Sequence, residues 1–223
     1  MKKILIIISI IILNHFFVSA QNTECSRVSD FGSKAICLPN IKGYQECYTI
    51  PMVKELADAT ESPMNAVLGF YLNNEVYSKK DSLGSINFDD YFKIYGTKQI
   101  QNITADNSTL EQMTELLSSN FISKNWDEMS QEIDKMGLDT EIGVPIVVDD
   151  YKINDESFTI VMLTKYASEG YKSHTLAMTI NGYLANERLV WMAYYLQYTN
   201  QETINHLKDK SDYILQKLID ANK

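Results

Sequence analysis

Leu189-Val190-Trp191-Met192-Ala193-Tyr194-Tyr195-Leu196 is the stretch that decides the architecture. Read as a strand, neither of its alternating sets is polar, so other parts of the chain must cover both faces of its sheet. Three strand-like runs precede it: Val144 to Val148, Phe158 to Tyr166 and His174 to Leu184. Between the runs lie Asn154-Asp155-Glu156, Glu169-Gly170-Tyr171-Lys172 and Ala185-Asn186-Glu187-Arg188. Links this short predict an antiparallel meander, because parallel neighbours need a crossover of about a dozen residues. Thr199-Asn200-Gln201-Glu202 then has the spacing of a capping box. It predicts a closing helix with Ile204, Leu207, Ile214, Leu215, Leu218 and Ile219 on the stripe that packs against the sheet.

Working back from that core, Ser108-Thr109-Leu110-Glu111 reads as another capping box, leading a helix with Leu110, Met113, Leu116 and Leu117 on one face. A helix from about Asn125 carries Trp126, Met129, Ile133 and Met136 on one face, with Gly137 as its stop. Tyr91 to Tyr95 alternates like a strand, although a helix starting at Asn87 would use the same residues. Ala66 to Leu72 is an apolar run of strand length followed by Asn73-Asn74, a turn signal. Pro51 opens a helical stretch with Val53, Leu56 and Ala57 at helical spacing, ending at Pro63. Ala35 to Tyr48 reads as a short strand and turn, and residues 21–34 as a polar lead. No linker, repeat or low-complexity segment interrupts 35–223, so the reading is a single α+β domain with a central, mostly antiparallel sheet flanked by helices.

Residues 1–20 read as a secretory signal peptide. Lys2 and Lys3 are basic, Ile4 to Leu13 are apolar except for Ser9, and Val18-Ser19-Ala20 supplies small residues for cleavage. Asn14 and His15 interrupt the run well short of the ~20 apolar residues of a spanning helix. Gln21 to Glu24 intervene before Cys25, which disfavours a lipid anchor. The expectation is export to the periplasm or beyond, with no stable membrane insertion after cleavage. The chain holds 20 Lys+Arg against 29 Asp+Glu, a net charge of −9 over 223 residues. Loss of Lys2 and Lys3 makes the mature protein about two charges more negative. An average surface of that sign repels a phosphate backbone and argues against nucleic acid as a partner. In an oxidising compartment Cys25, Cys37 and Cys47 invite one disulfide. Cys37–Cys47 across the Lys42-Gly43 turn is the preferred pair, and Cys25–Cys37 the alternative.

The order of elements, with the ending LVWMAYYLQYTNQETINHLKDKSDYILQKL, resembles the Mog1/PsbP-like superfamily of α/β sandwiches. The resemblance spans roughly Ile36 to Leu218 and is one of pattern, with no invariant chemical motif. It implies a central antiparallel sheet between helices, and mostly non-enzymatic accessory or binding proteins, including exported bacterial ones of unknown role. The Cys-containing N-terminal lead departs from that pattern.

A search for chemistry returns little. His174 and His206 are the only histidines after the leader, and nucleophile elbow, Walker loop, His-Glu-x-x-His and dinucleotide fingerprint are absent from the sequence. His206 falls off the apolar stripe and reads as solvated surface; His174, beside Ser173, could orient a hydroxyl. Carboxylate candidates for acid/base work are Asp89, Asp90, Asp149, Asp150, Asp155 and Glu156. Neither Asp149-Asp150 nor Asp106-Asn107 continues into a calcium loop, and no metal site or cofactor is expected. Among fourteen tyrosines, Tyr183, Tyr195 and Tyr198 cluster with Trp191 around one hairpin end and form the candidate ligand-binding face, since tyrosine is favoured where recognition needs an apolar body with a polar tip. The functional expectation is an exported non-catalytic domain that binds an envelope or extracellular protein or a small ligand. The alternative is a small envelope hydrolase with a carboxylate- or His174-centred site.

Overall fold

Strand β10 (Arg188–Gln197) lies in the middle of an eight-stranded sheet. Chain order, in this computed structural model, is β1 (Cys25–Phe31), β2 (Lys34–Pro39), β3 (Tyr44–Glu46), α1 (Pro51–Ala59), β4 (Asn65–Asn73), α2 (Asn74–Ser78) and β5 (Asp90–Thr97). There follow α3 (Asn107–Ser118), α4 (Trp126–Lys135), β6 (Thr140–Ile142), β7 (Ile146–Tyr151), β8 (Ser157–Ser168), β9 (His174–Ala185), β10 and α5 (Gln201–Ala221). The structure describes residues 25–79, 90–118, 124–135, 140–168 and 173–223. Strand order is β3-β4-β5-β10-β9-β8-β6, with β7 also paired to β8; every pairing is antiparallel. β1 and β2 form a separate hairpin. The architecture is α+β, with a central antiparallel sheet covered by helices.

The two-sided apolar character of β10 is resolved as the pleat requires. Val190, Met192 and Tyr194 join Tyr183 and Val161 against Ile204, Leu207, Ile214, Leu215 and Leu218 of α5, together with Phe31, Ile36 and Leu38 of the hairpin. The alternate set, Leu189 and Trp191, packs with Phe158, Ile160 and Met162 under Leu110, Met113 and Leu117 of α3. Farther along that second face, Val53 and Ala57 of α1 cover Val67, Phe70 and Leu72. The hairpin approaches closely at Gly96, where an added Cβ would lie 2.2 Å from the Phe31 ring. Any larger residue there would lift the hairpin off the sheet. Buried Arg188 fastens the same hairpin, donating to the carbonyls of Gly32 (2.8 Å) and Ile103 (3.3 Å). Asn222 secures the end of α5, accepting from Cys37 N (2.7 Å) and donating to Cys37 O (2.9 Å).

Several local expectations shift. Part of the polar lead is structural: β1 begins at Cys25, and Phe31 is only 2% exposed. The disulfide joins Cys25 to Cys37, correcting the preferred Cys37–Cys47 pair. The reason is topological. Lys42-Gly43 does not close a hairpin but carries the chain from the β1–β2 layer into the main sheet, where Cys47 is buried and its thiol donates to Phe70 O (3.1 Å). Asn73 ends β4 not as a turn but as the N-cap of α2, accepting from Val76 N. The cap before α3 is Asp106 with Thr109, displacing the expected Ser108–Glu111 box, and Leu116 on that helix is 48% exposed. The box on α5 is Asn200 with Thr203, one position later than expected. Residues 1–20, the Glu169 to Lys172 link, Asp89, Met136 and Gly137 lie outside the described residues.

Candidate functional site

The predicted aromatic face does not form. β10–β9 register pairs Tyr183 with Val190 and Trp191 with Gly182, so Tyr183 and Trp191 point to opposite faces of the sheet. Tyr183 is fully buried beside α5 and Trp191 is 7% exposed beneath α3. Tyr195 stacks on Tyr91 (ring centroids 4.8 Å apart) on Trp191's face, whereas Tyr198 packs with Tyr183's cluster. The parity of the short Ala185–Arg188 link already separates these residues, and that signal was legible.

A cleft of about 570 Å³ opens instead where β4, β5 and β10 meet the start of α5. Asn73, Asp90, Gln197, Thr199, Asn200, Glu202 and His206 are among its lining residues. Asp90 opens β5 opposite Leu196, on the α5 side of the sheet. Its Oδ1 accepts from the Tyr44 hydroxyl (2.6 Å) and the Tyr194 hydroxyl (3.0 Å), and these two oxygens lie 3.0 Å apart. Two hydroxyl protons serve three oxygens, so the carboxylate takes both protons only if the phenol–phenol edge carries none. Burial, reinforced at Tyr44 by Asp90 against a small opposing effect of the Tyr194 bond, and at Tyr194 by both Tyr44 and Asp90, pushes both phenols far above the usual tyrosine range. They therefore remain protonated donors and hold Asp90 in one orientation. His206 is exposed on the cleft wall, in line with its expected solvated position.

A second cleft, about 370 Å³, lies beyond the end of α1 and is lined by Tyr48, Asp58, Glu61, Asn65 and Lys98 among others. Its carboxylates are matched by cations. Lys54 and the Tyr48 hydroxyl both donate to Asp58. Glu61 pairs with Lys93 (2.5 Å), whose ammonium lies 5.7 Å from the Tyr95 ring centre and 5.9 Å from that of Tyr195. Burial raises the Asp58 carboxyl, but the bonds from Lys54 and Tyr48 outweigh it and hold the group below the usual range.

The remaining candidates stand apart. Asp149 pairs with Lys208 (2.5 Å) and Glu156 with Lys223 (3.0 Å); Asp150 lies on β7 and Asp155 in the turn before β8. His174 pairs in register with Tyr166, its ring 5.3 Å away, on the face of Phe158 and Ile160 rather than that of Asp90. Cys25 is consumed in the disulfide, and burial pushes the Cys47 thiol up to about 12, so it is no nucleophile near neutral pH. Among the described residues, no group of three or more His, Cys, Asp or Glu could hold a metal ion, and no helix is long and apolar enough to cross a membrane.

No family model matches the sequence, and no curated protein matches it. Among solved structures the chain is similar to the Ran-binding protein Mog1p of Saccharomyces cerevisiae, at 14% identity over 86% of this chain and 90% of that one, with a TM-score of 0.35. Ran binding is a property of that protein.

Proposed function

We propose that this protein is an exported, non-catalytic binding or accessory domain that recognises a protein or a small ligand outside the cytoplasmic membrane. The Asp90 cleft carries the reading: an open, polar-walled depression in which the half-buried Asp90 carboxylate is held by two buried phenols. Such fixed placement suits recognition, because a preorganised group loses little entropy when a ligand arrives. The leader-like pattern of residues 1–20 and the Cys25–Cys37 bond support an oxidising destination.

The test is differential capture. Mature chain, residues 21–223, and the same chain carrying Gln197→Trp, which fills the cleft from an exposed position, are each immobilised and exposed to an extracellular and envelope extract. The reading expects a discrete protein or small molecule retained by the first and lost by the second. Equal retention by both, or turnover of a retained molecule by the purified chain, overturns it.

A further inference from the structure

The acidic side chains of this protein differ in what neutralises them. Glu46 is bound by Arg27, Asp58 by Lys54, Glu61 by Lys93, Asp149 by Lys208 and Glu187 by Lys34. Asp90 has hydrogen-bond partners but, among the described residues, no ion-pair partner; both its bonds come from neutral phenols. A phenol donor orients a carboxylate and leaves its charge uncancelled. Among the described residues no lysine or arginine lines the cleft above it, while Glu202 adds a second carboxylate at the rim. The net charge of −9 extends the same sign over the whole molecule and draws cations toward it.

The hydrogen-bond inventory points the same way. The carboxylate oxygens of Asp90 and Glu202 are acceptors, and the hydroxyl protons of Tyr44 and Tyr194 are directed inward to Asp90 or to each other. At the rim, Asn73 and Asn200 use their side-chain carbonyls to cap α2 and α5, which leaves their amide N–H groups for carbonyls or hydroxyls. The positive end of α5 also faces this region. Glu202 in its first turn and the Asn200–Thr203 box offset that contribution.

We propose that the Asp90 cleft is a receptor for a cationic nitrogen group, an ammonium or guanidinium, borne by a small molecule or by a basic side chain of a peptide. This names the ligand chemistry of the site and rests on the binding reading above. Asp90 takes the cation, Glu202 adds attraction at the mouth, and Asn73 and Asn200 receive the carbonyls or hydroxyls beside it.

The experiment titrates mature chain with agmatine and, separately, with a tri-arginine peptide, using calorimetry at low and high salt. Both probes, or the peptide alone, should bind, and added salt should weaken binding. The first result assigns the cation itself as sufficient and the second assigns a peptide source. Asp90→Asn, which keeps an oxygen for the phenols, should lower affinity by about tenfold or more. Asp58→Asn in the paired cleft should leave it unchanged. Glu202→Gln, exposed and clear of the phenol network, should weaken binding by roughly two- to threefold through the rim field alone and supplies the answer if Asp90→Asn fails to fold. Absence of binding by both probes, or equal affinity in Asp90→Asn and Glu202→Gln, overturns the proposal. If the captured ligand is lost with Gln197→Trp but kept with Asp90→Asn, the cation assignment fails while the binding reading stands.

Discussion

The two clefts place carboxylates in similar depressions at different parts of the same sheet and treat them oppositely. Around Asp58 and Glu61, Lys54 and Lys93 supply charge, and the Tyr48 hydroxyl and Asn65 amide complete the bonding. Around Asp90, Tyr44 and Tyr194 supply hydrogen bonds without charge. The first arrangement is closed on itself, and a ligand would have to displace an internal cation. The second leaves a negative group oriented, anchored and available. A carboxylate in a pocket is therefore weak evidence for function until the charge of its partners is known.

Lys93→Met should break the paired cleft most severely. Its ammonium and the Glu61 carboxylate are almost out of solvent, with side chains 11% and 9% exposed, so removing one strands the other. The expected loss is about 3–5 kcal/mol in urea unfolding. Adding Glu61→Leu should recover most of it, whereas a double variant no better than the single would refute a charge-pair origin. Asp90→Ala in the other cleft should cost less, about 1–3 kcal/mol, because the two phenols can still bond each other and only one neutral hydroxyl is left short of an acceptor, rather than a stranded ion. Equal losses for Lys93→Met and Asp90→Ala would erase the distinction between the clefts.

Acid titration sharpens the same contrast. Because the Asp58 carboxyl is held below its unfolded value, its bonds contribute stability at neutral pH that fades as pH falls through the carboxylate range. Asp58→Asn should flatten that part of a Tm-against-pH curve, and an unchanged acid limb would contradict the pairing. The smallest effect separates two buried tyrosines. Tyr194→Phe should cost about 1 kcal/mol, as its hydroxyl is bonded to Asp90, while Tyr183→Phe should be neutral or slightly stabilising because its buried hydroxyl has no hydrogen-bond partner among the described residues. Matched melting temperatures for both variants would show that the Asp90 network adds nothing to stability.

Legibility followed the range of the interaction. The meander, the strand at Tyr91 to Tyr95 and the stripe on α5 were readable because side-chain period and link length are properties of a few neighbouring residues. Caps slipped by a residue or two because Ser, Thr, Asn and Asp crowd each helix start and any of them can accept the free amide. Asp90 stood among six carboxylates of equal standing. What singles it out comes from Tyr44, 46 residues before it, and Tyr194, 104 residues after it, a conjunction that no local pattern encodes.

From its order of residues alone this protein was bound to build an antiparallel sheet covered on both faces, since β10 has no polar side to offer water and the links beside it are too short for crossovers. The cysteine pairing, the division of the tyrosines between two faces and the charge left on Asp90 were decided only when distant segments met. Hydrogen bonds and ion pairs depend on which groups come within about 3 Å of each other, and proximity of that kind belongs to the folded chain.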